Sequence, residues 1–309
     1  MTAVGLALLV PGGRGQLGRD LAALEPSDGF LHAPSSAELD VTDRDAVADA
    51  VASLASAARD AGLRPVVLNA AAYTAVDAAE TDEDRAFAVN ADGPRLLADA
   101  CAAQDVPLVQ VSTDYVFAGT ATTPYEPGDE TGPRSAYGRT KLAGERAVLA
   151  GWERSWVVRT AWVYGAVGGN FVKTIARLEG ERDTLSVVDD QRGSPTWSAD
   201  LAAGLVELAG LVALRRGPAA RVLHCTGGGD TTWHGFARAV FEELGADPQR
   251  VQPCGTEAFP RPAPRPAYGV LSGAAWRDAG LTSPRPWREA LRAAFAAHGD
   301  AFRGTAPAN

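Results

Sequence analysis

The feature that most constrains this chain is an alternation. Short apolar, β-branched runs are separated by stretches with helical spacing. Val4–Val10 is a continuous apolar strand, followed by Leu17, Leu21 and Leu24 at helical spacing. Thr42 is expected to start a second helix, with Asp45 as capping partner and Val47, Val51 and Leu54 as the apolar face. PVVLN (Pro65–Asn69), VPLVQVST (Val106–Thr113) and SWVVRT (Ser155–Thr160) repeat the strand pattern. Helical segments stand between them at Asp82–Val89, Pro94–Ala103 and over SAYGRTKLAGERAVL. Strands apolar on both faces need helices on both sides. The expected fold is therefore α/β, a doubly wound parallel sheet.

After Thr160 the alternation loosens. A helix is expected over Asn170–Leu178, a strand over Leu185–Val188, a helix over Ser198–Leu214 and a strand over Ala220–Gly227. Five prolines between Pro253 and Pro266 forbid a helix and suit an extended loop. Short helices near Gly273–Ala279 and Pro286–Phe295 close the chain, and the tail after Phe302 is expected to fray. This predicts a smaller, mixed C-terminal lobe beside the sheet.

With 29 Lys and Arg against 38 Asp and Glu, the net charge is −9, and there is no basic stripe. That argues against nucleic acid as a partner. The start has no positive n-region, and no window approaches the length of a membrane span. Cys101, Cys225 and Cys254 form no C-x-x-C pair, which suits a reduced, cytoplasmic protein. His32, His224, His234 and His298 show no metal-ligand spacing, and no metal site is predicted.

PGGRGQLG follows the first strand and opens a helix, with Gly12, Gly15 and Gly18 as G-x-x-G-x-x-G. Such a triplet suits any tight turn. After the first strand of a βαβ pattern it also suits a dinucleotide, whose pyrophosphate needs close backbone approach. Beyond the second strand, HAPSSAELD has Ser35 and Ser36 where a ribose-binding acid would stand. Two hydroxyls tolerate a 2′-phosphate, but no arginine stands in that stretch. NADPH is slightly favoured, and NADH remains compatible. Asp40 comes later and suits the adenine end.

SAYGRTKLAGE puts Tyr137 and Lys141 on one helix face. A nearby ammonium stabilises phenolate and makes the phenol a better proton donor to a forming alkoxide. The spacing equally suits a half-buried tyrosine and a surface lysine. Thr113 and Asp114 fall at the carboxyl end of the fourth strand, where open α/β sheets bind ligands. The Thr113 hydroxyl suits a carbonyl oxygen, or a loop cap. NAAAY ends the third strand in small side chains, leaving room for a cofactor or for a close-packed helix.

These four elements fall in order at one sheet edge and resemble the extended short-chain dehydrogenase/reductase superfamily. NAAAYTAVDAAE, STDYVFAG, YGRTKLAGE, RTAWVYG, NFVKT, DDQRGSPT, TTWHGFA and RPAYGVL resemble the dTDP-4-dehydrorhamnose reductase family from about Leu6 to about Phe295. The resemblance implies reduction of the 4-keto group of a dTDP-4-dehydro-6-deoxyhexose. It implies Thr113, Tyr137 and Lys141 as catalytic residues. Thr74, Val76, Thr113, Tyr115 and Trp162 would meet the sugar, Trp162 as a flat indole against the ring or as ordinary core.

The cofactor would meet Gly12, Gly15, Gln16, Leu17, Gly18, Asp40, Val41, Ala70, Ala71, Ala72, Tyr137 and Lys141. The implied division is a dinucleotide-binding Rossmann part at 1–160 and 185–226, and a substrate lobe at 161–184 and 227–309. A monomer or homodimer is expected. Some members bind Mg²⁺ through acidic residues at a dimer interface; that cluster is not assembled here, and Mg²⁺ dependence is not carried over.

Three related readings differ. A 4,6-dehydratase needs an Asp-Glu pair after the catalytic Thr, but Thr113 is followed by Asp114 and Tyr115. A ketoreductase of a secondary-metabolite pathway would share every motif. A non-catalytic dinucleotide-binding regulatory subunit would not need the full Thr113, Tyr137 and Lys141 set.

Overall fold

The computed structural model describes residues 5–24, 26 and 28–304. Val4 and the tail beyond Gly304 lie outside them. Five strands form in the expected order: β1 (Leu6–Leu9), β2 (Phe30–His32), β3 (Arg64–Asn69), β4 (Leu108–Thr113) and β5 (Ser155–Thr160). With Val222–His224 they make a six-stranded sheet in the order Val222–His224, β5, β4, β3, β1, β2, and every pair is parallel. The chain leaves β1 for β2 on one side and later returns to β3 on the other. The loops after β1 and β3 therefore diverge and open a crevice at their carboxyl ends.

Side-chain alternation fills both faces. Leu6, Leu8, Val66, Leu68, Val109 and Val158 pack with Leu201, Leu205 and Leu208 of α7 (Ser198–Ala213) and Leu21 of α1 (Gln16–Ala22). Ala7, Leu9, Val67 and Leu108 face Val47 and Val51 of α2 (Arg44–Asp60) and Leu97 and Cys101 of α4 (Gly93–Gln104). The expected start of α2 at Thr42 moves to Asp43, whose carboxylate accepts the N–H groups of Asp45 and Ala46. Thr42 is engaged elsewhere: its N–H and hydroxyl both donate to Asp40 Oδ1. An ionised cap also meets the positive end of the helix dipole. The short α3 (Glu83–Phe87) runs into α4 through a π turn, Ala88–Asp92.

The smaller lobe has its own core. Val172 and Ile175 of α6 (Phe171–Glu181) pack with Phe236, Val240 and Phe241 of α8 (Trp233–Leu244) and with Leu291 and Phe295 of the last helix, Trp287–Arg303. One expected boundary moves here. Leu185–Val188 pairs with Val251–Cys254 and not with the main sheet, so the chain returns to the sheet's helical layer only at α7. The pairing follows burial: Val187 and Val251 both belong to the lobe's core. No described helix is long and apolar enough to cross a membrane.

Candidate active site

The β1–α1 turn lies directly on the end of β3. Gly12 has φ +85°, and a Cβ there would stand 2.7 Å from the Ala71 nitrogen. A Cβ on Gly18 would stand 2.2 Å from Gly12 O, so the helix can sit down on the turn only as glycine. Ala70 N–H donates to Pro11 O at 3.1 Å. Asn69 Oδ1 accepts the Ala71 N–H at 3.1 Å while its Nδ2 donates to Gln110 Oε1 at 2.7 Å. Asn90, carried by the π turn, holds the next segment. Its Oδ1 accepts Tyr73 N–H at 2.9 Å, and its Nδ2 donates to Tyr73 O and Thr140 Oγ1, each at 3.1 Å.

A cleft of about 630 Å³ runs along this edge. Gly12, Gly15, Gln16, Leu17 and Gly18 line one end of it, with Asp40 and Val41 beside them. Ala70, Ala71 and Ala72 line its floor, and Thr74, Val76, Thr113, Tyr115, Tyr137, Lys141 and Trp162 line the rest. Two buried hydroxyls on the same lining, Ser112 Oγ and Thr160 Oγ1, have no protein partner. Orphaned polar atoms and a backbone cradle that any Cβ would fill both fit a polar dinucleotide.

Tyr137 and Lys141 sit on the first turns of α5 (Ala136–Gly151), whose start is fixed from two sides. Ser135 Oγ accepts Gly138 N–H at 3.1 Å, and Glu80 Oε1 accepts Ala136 N–H at 2.8 Å. Further along, Glu145 and Arg159 form a buried two-point ion pair at 2.7 and 2.9 Å that clamps α5 to β5.

Lys141 Nζ donates to Val111 O at 2.7 Å, and burial pulls its pKa down to about 8, opposed by Glu145. Burial pushes the Tyr137 phenol up to about 12, opposed by a hydrogen bond with the Thr113 side chain. The expected acidifying pull of Lys141 on Tyr137 is thus replaced by burial and the Thr113 contact. One of the three ammonium donors goes to the Val111 carbonyl. A phenol in this state carries its proton at neutral pH, as a donor must. Thr113 Oγ1 also donates to Asp114 Oδ1 at 3.0 Å, and burial raises the Asp114 carboxyl to about 7.

A second chamber of about 670 Å³ adjoins the cleft, and Asp114, Tyr115, Trp162 and Trp233 line both. Arg192, Arg261 and Arg265 also line it. Arg265 is held by Asp77 at 2.8 Å and Arg192 by Asp230 at 2.7 Å. Trp162 takes an unusual φ of +48°, and its indole stacks on Trp233 with ring centroids 3.5 Å apart. Gly193 leaves room for it: a Cβ there would stand 2.4 Å from the indole. One face of Trp162 therefore serves Trp233 and is closed to a sugar. Among the described residues, no group of three or more His, Cys, Asp or Glu side chains is placed to hold a metal ion.

Several residues of the site escape a reading by motif: Arg14, Asn90, Ser112, Thr160 and Trp233. TTWHGFA and RTAWVYG carried the signal for Trp233 and Thr160, but not their meeting at the cleft.

A protonated tyrosine beside a dinucleotide-shaped groove, at the open edge of a doubly wound sheet, defines a short-chain dehydrogenase/reductase, a class of nicotinamide-dependent oxidoreductase. The chain belongs, more narrowly, to the dTDP-4-dehydrorhamnose reductase family: the family model described as RmlD substrate binding domain matches residues 6–299. It is 49% identical over 291 residues to a dTDP-4-dehydrorhamnose reductase of Streptomyces griseus, covering 94% of this chain and 93% of that one. It is 47% identical over 291 residues to a probable dTDP-4,6-dihydroxy-2-methyloxan-3-one 4-ketoreductase of Streptomyces antibioticus, covering 93% and 94%. A crystal structure of dTDP-4-dehydrorhamnose reductase from Bacillus anthracis in complex with NADP superposes with a TM-score of 0.86 at 33% identity, covering 94% of this chain and 98% of that one.

Proposed function

We propose that this chain reduces the 4-keto group of a dTDP-4-dehydro-6-deoxyhexose, with dTDP-4-dehydro-L-rhamnose as first candidate and dTDP-L-rhamnose as product. The observation that carries the reading is the buried, protonated Tyr137 beside Thr113 and Lys141 in a cleft that a dinucleotide fits. When bound, NADPH (or NADH) supplies the hydride. The chain's residues do the rest. Gly12, Gly15, Gln16, Leu17 and Gly18 offer turn backbone to the pyrophosphate. Asp40 and Val41 line the adenine end, and Ala70–Ala72 leave room along the strand edge. Lys141 has three donors and spends one on Val111 O, leaving two for ribose hydroxyls.

Tyr137 gives its phenolic proton to the C4 oxygen as negative charge grows there. Thr113 donates its one hydroxyl proton to Asp114 in this structure, and turning that proton from Asp114 to the C4 oxygen would steady the same charge. Thr74, Val76 and Tyr115 close around the sugar, and the edge of the Trp162–Trp233 stack sets its far limit. The nucleoside diphosphate extends into the second chamber, where Arg261 and Arg265 suit its phosphates. In this reading the sheet part binds cofactor and the smaller lobe binds the nucleotide sugar.

The ketoreductase relative at 47% identity keeps a second reading open, in which the product is another deoxysugar. Incubation with NADPH and dTDP-4-dehydro-L-rhamnose, followed by NMR of the product sugar, tests the reading. Tyr137→Phe is expected to lower kcat by ~10²–10⁴-fold with cofactor affinity retained. Near-normal turnover by that variant removes the proposed acid.

A further inference from the structure

We infer that a second, smaller cavity, beyond the edge strand Val222–His224, binds a small hydroxylated oxyanion, with its charge on Arg277 and a hydroxyl on His224. The cavity measures about 260 Å³ and shares no lining residue with the cofactor cleft or the chamber beside it. His224 is its most deeply buried polar side chain, 1% exposed. It ends the edge strand, in register with Arg159 of β5. Phe117 closes one side of the ring edge-on, with centroids 5.9 Å apart. Neither ring nitrogen has a hydrogen-bond partner. The carbonyls of Tyr125 and Ser272 come near the imidazole without completing one. Burial, with the Arg159 charge, pulls the ring's pKa down to about 3, so it is neutral at pH 7. A neutral imidazole offers one N–H donor and one bare acceptor nitrogen.

Such a ring calls for a partner that both accepts and donates, and a hydroxyl does both. Thr226 and Ser272 line the same cavity. Ser272 Oγ accepts the Ala274 N–H at 3.2 Å, which leaves its proton free for an incoming oxygen. Leu271 and Trp276 supply apolar wall for a short carbon chain. The Trp276 N–H is already given to Thr282 O at 2.9 Å, so its ring serves as packing surface. Arg277, on the short helix Ala274–Asp278, is exposed and lines the cavity too. No described residue hydrogen-bonds or ion-pairs with its guanidinium. The carboxylate on this lining, Asp230, is paired with Arg192 at 2.7 Å, so Arg277 is the charge left uncompensated. An exposed guanidinium takes a carboxylate or phosphate in two-point fashion, while the buried imidazole takes a hydroxyl. The two together fit a molecule that carries an oxyanion at one end and hydroxyls at the other.

The test is an NMR titration of the full-length protein that follows its imidazole signals. The chain has four histidines, and the through-space contact with the Phe117 ring identifies that of His224. The probes are glycerol 3-phosphate, glycerate, glycerol and inorganic phosphate, each with and without dTDP. Glycerol 3-phosphate or glycerate is expected to shift the His224 signal saturably, and the tighter of the two shows whether the oxyanion is a phosphate or a carboxylate. Glycerol and inorganic phosphate each carry half of the matched groups and should bind at least ~10-fold more weakly. Arg277→Gln alters an exposed side chain. It should weaken both anionic polyols roughly 10-fold, leave glycerol within about 2-fold and leave kcat for the ketosugar unchanged. A His224 signal that no probe moves overturns the proposal and leaves the cavity to water. Glycerol or inorganic phosphate binding as tightly as the matched probes overturns it too, as does a response that Arg277→Gln leaves intact. A shift abolished by dTDP would place the probes in the main chamber, with the same consequence.

Discussion

Replacing Asp114 by asparagine removes a buried charge and keeps the side chain's shape. Asp114 is only 3% exposed, accepts the Thr113 hydroxyl at 3.0 Å, and is walled by Gly269, where a Cβ would stand 2.5 Å from Oδ2. Burial raises its pKa from 3.8 to about 7. The folded state therefore binds its proton more tightly than the unfolded chain. Where the folded pKa of an acid lies above the unfolded one, the native state holds the extra proton between the two values. Its stability falls as pH rises through that window and levels off above about 7. At ~1.4 kcal/mol per pH unit, the interval from pH 5 to pH 8 is worth on the order of 2–3 kcal/mol.

Asparagine does not titrate, so the variant lacks that slope. Urea unfolding of both proteins at pH 5 and pH 8 reads the difference. The variant should gain on wild type by that amount on moving to pH 8. Lys141, pulled down to about 8, adds a slope of opposite sign above that pH, and this is shared by both proteins. The ionised carboxylate also raises the Tyr137 phenol, so wild-type kcat should decline as pH climbs through about 7 while the variant's declines less. Stability differences that match at the two pH values would mean that Asp114 ionises normally, and the electrostatic account of the site would be wrong.

Gly12→Ala forces φ +85° on an L side chain and drives its Cβ to 2.7 Å from the Ala71 nitrogen. The strain alone is worth ~1–2 kcal/mol; the melting temperature should drop a few degrees and dinucleotide affinity at least ~10-fold, and unchanged affinity in a fluorescence titration would show that the turn does not carry the cofactor. Trp233→Ala unstacks Trp162, a pair worth ~0.5–1.5 kcal/mol beyond its buried area. The expected outcome is a higher KM for the ketosugar, an unchanged cofactor Kd and loss of the paired-indole near-UV circular dichroism signal; an unaltered KM would remove the stack from the substrate site.

What could be read along the chain was what depends on neighbours along the chain. β3, β4 and β5 announce themselves as apolar runs because both of their faces are covered, and Tyr137 and Lys141 share a face because a helix turn fixes that spacing. Leu185–Val188 is equally apolar, yet nothing local says that its partner is Val251–Cys254 and not the main sheet. Asn90 looks like any polar residue in a helix until the π turn rotates its amide onto Tyr73. Arg14 gains its place only because Gly13 is small enough to let one loop lie on another. The Trp162 indole suits a sugar platform or ordinary core on sequence grounds, and a residue far downstream covers one of its faces. In each case the missing information is a contact between distant segments, decided by backbone approach or by which ring reaches a face first. Motif strings carry the identity of such residues but not which of their surfaces remain free, and the chemistry of this cleft depends on those surfaces.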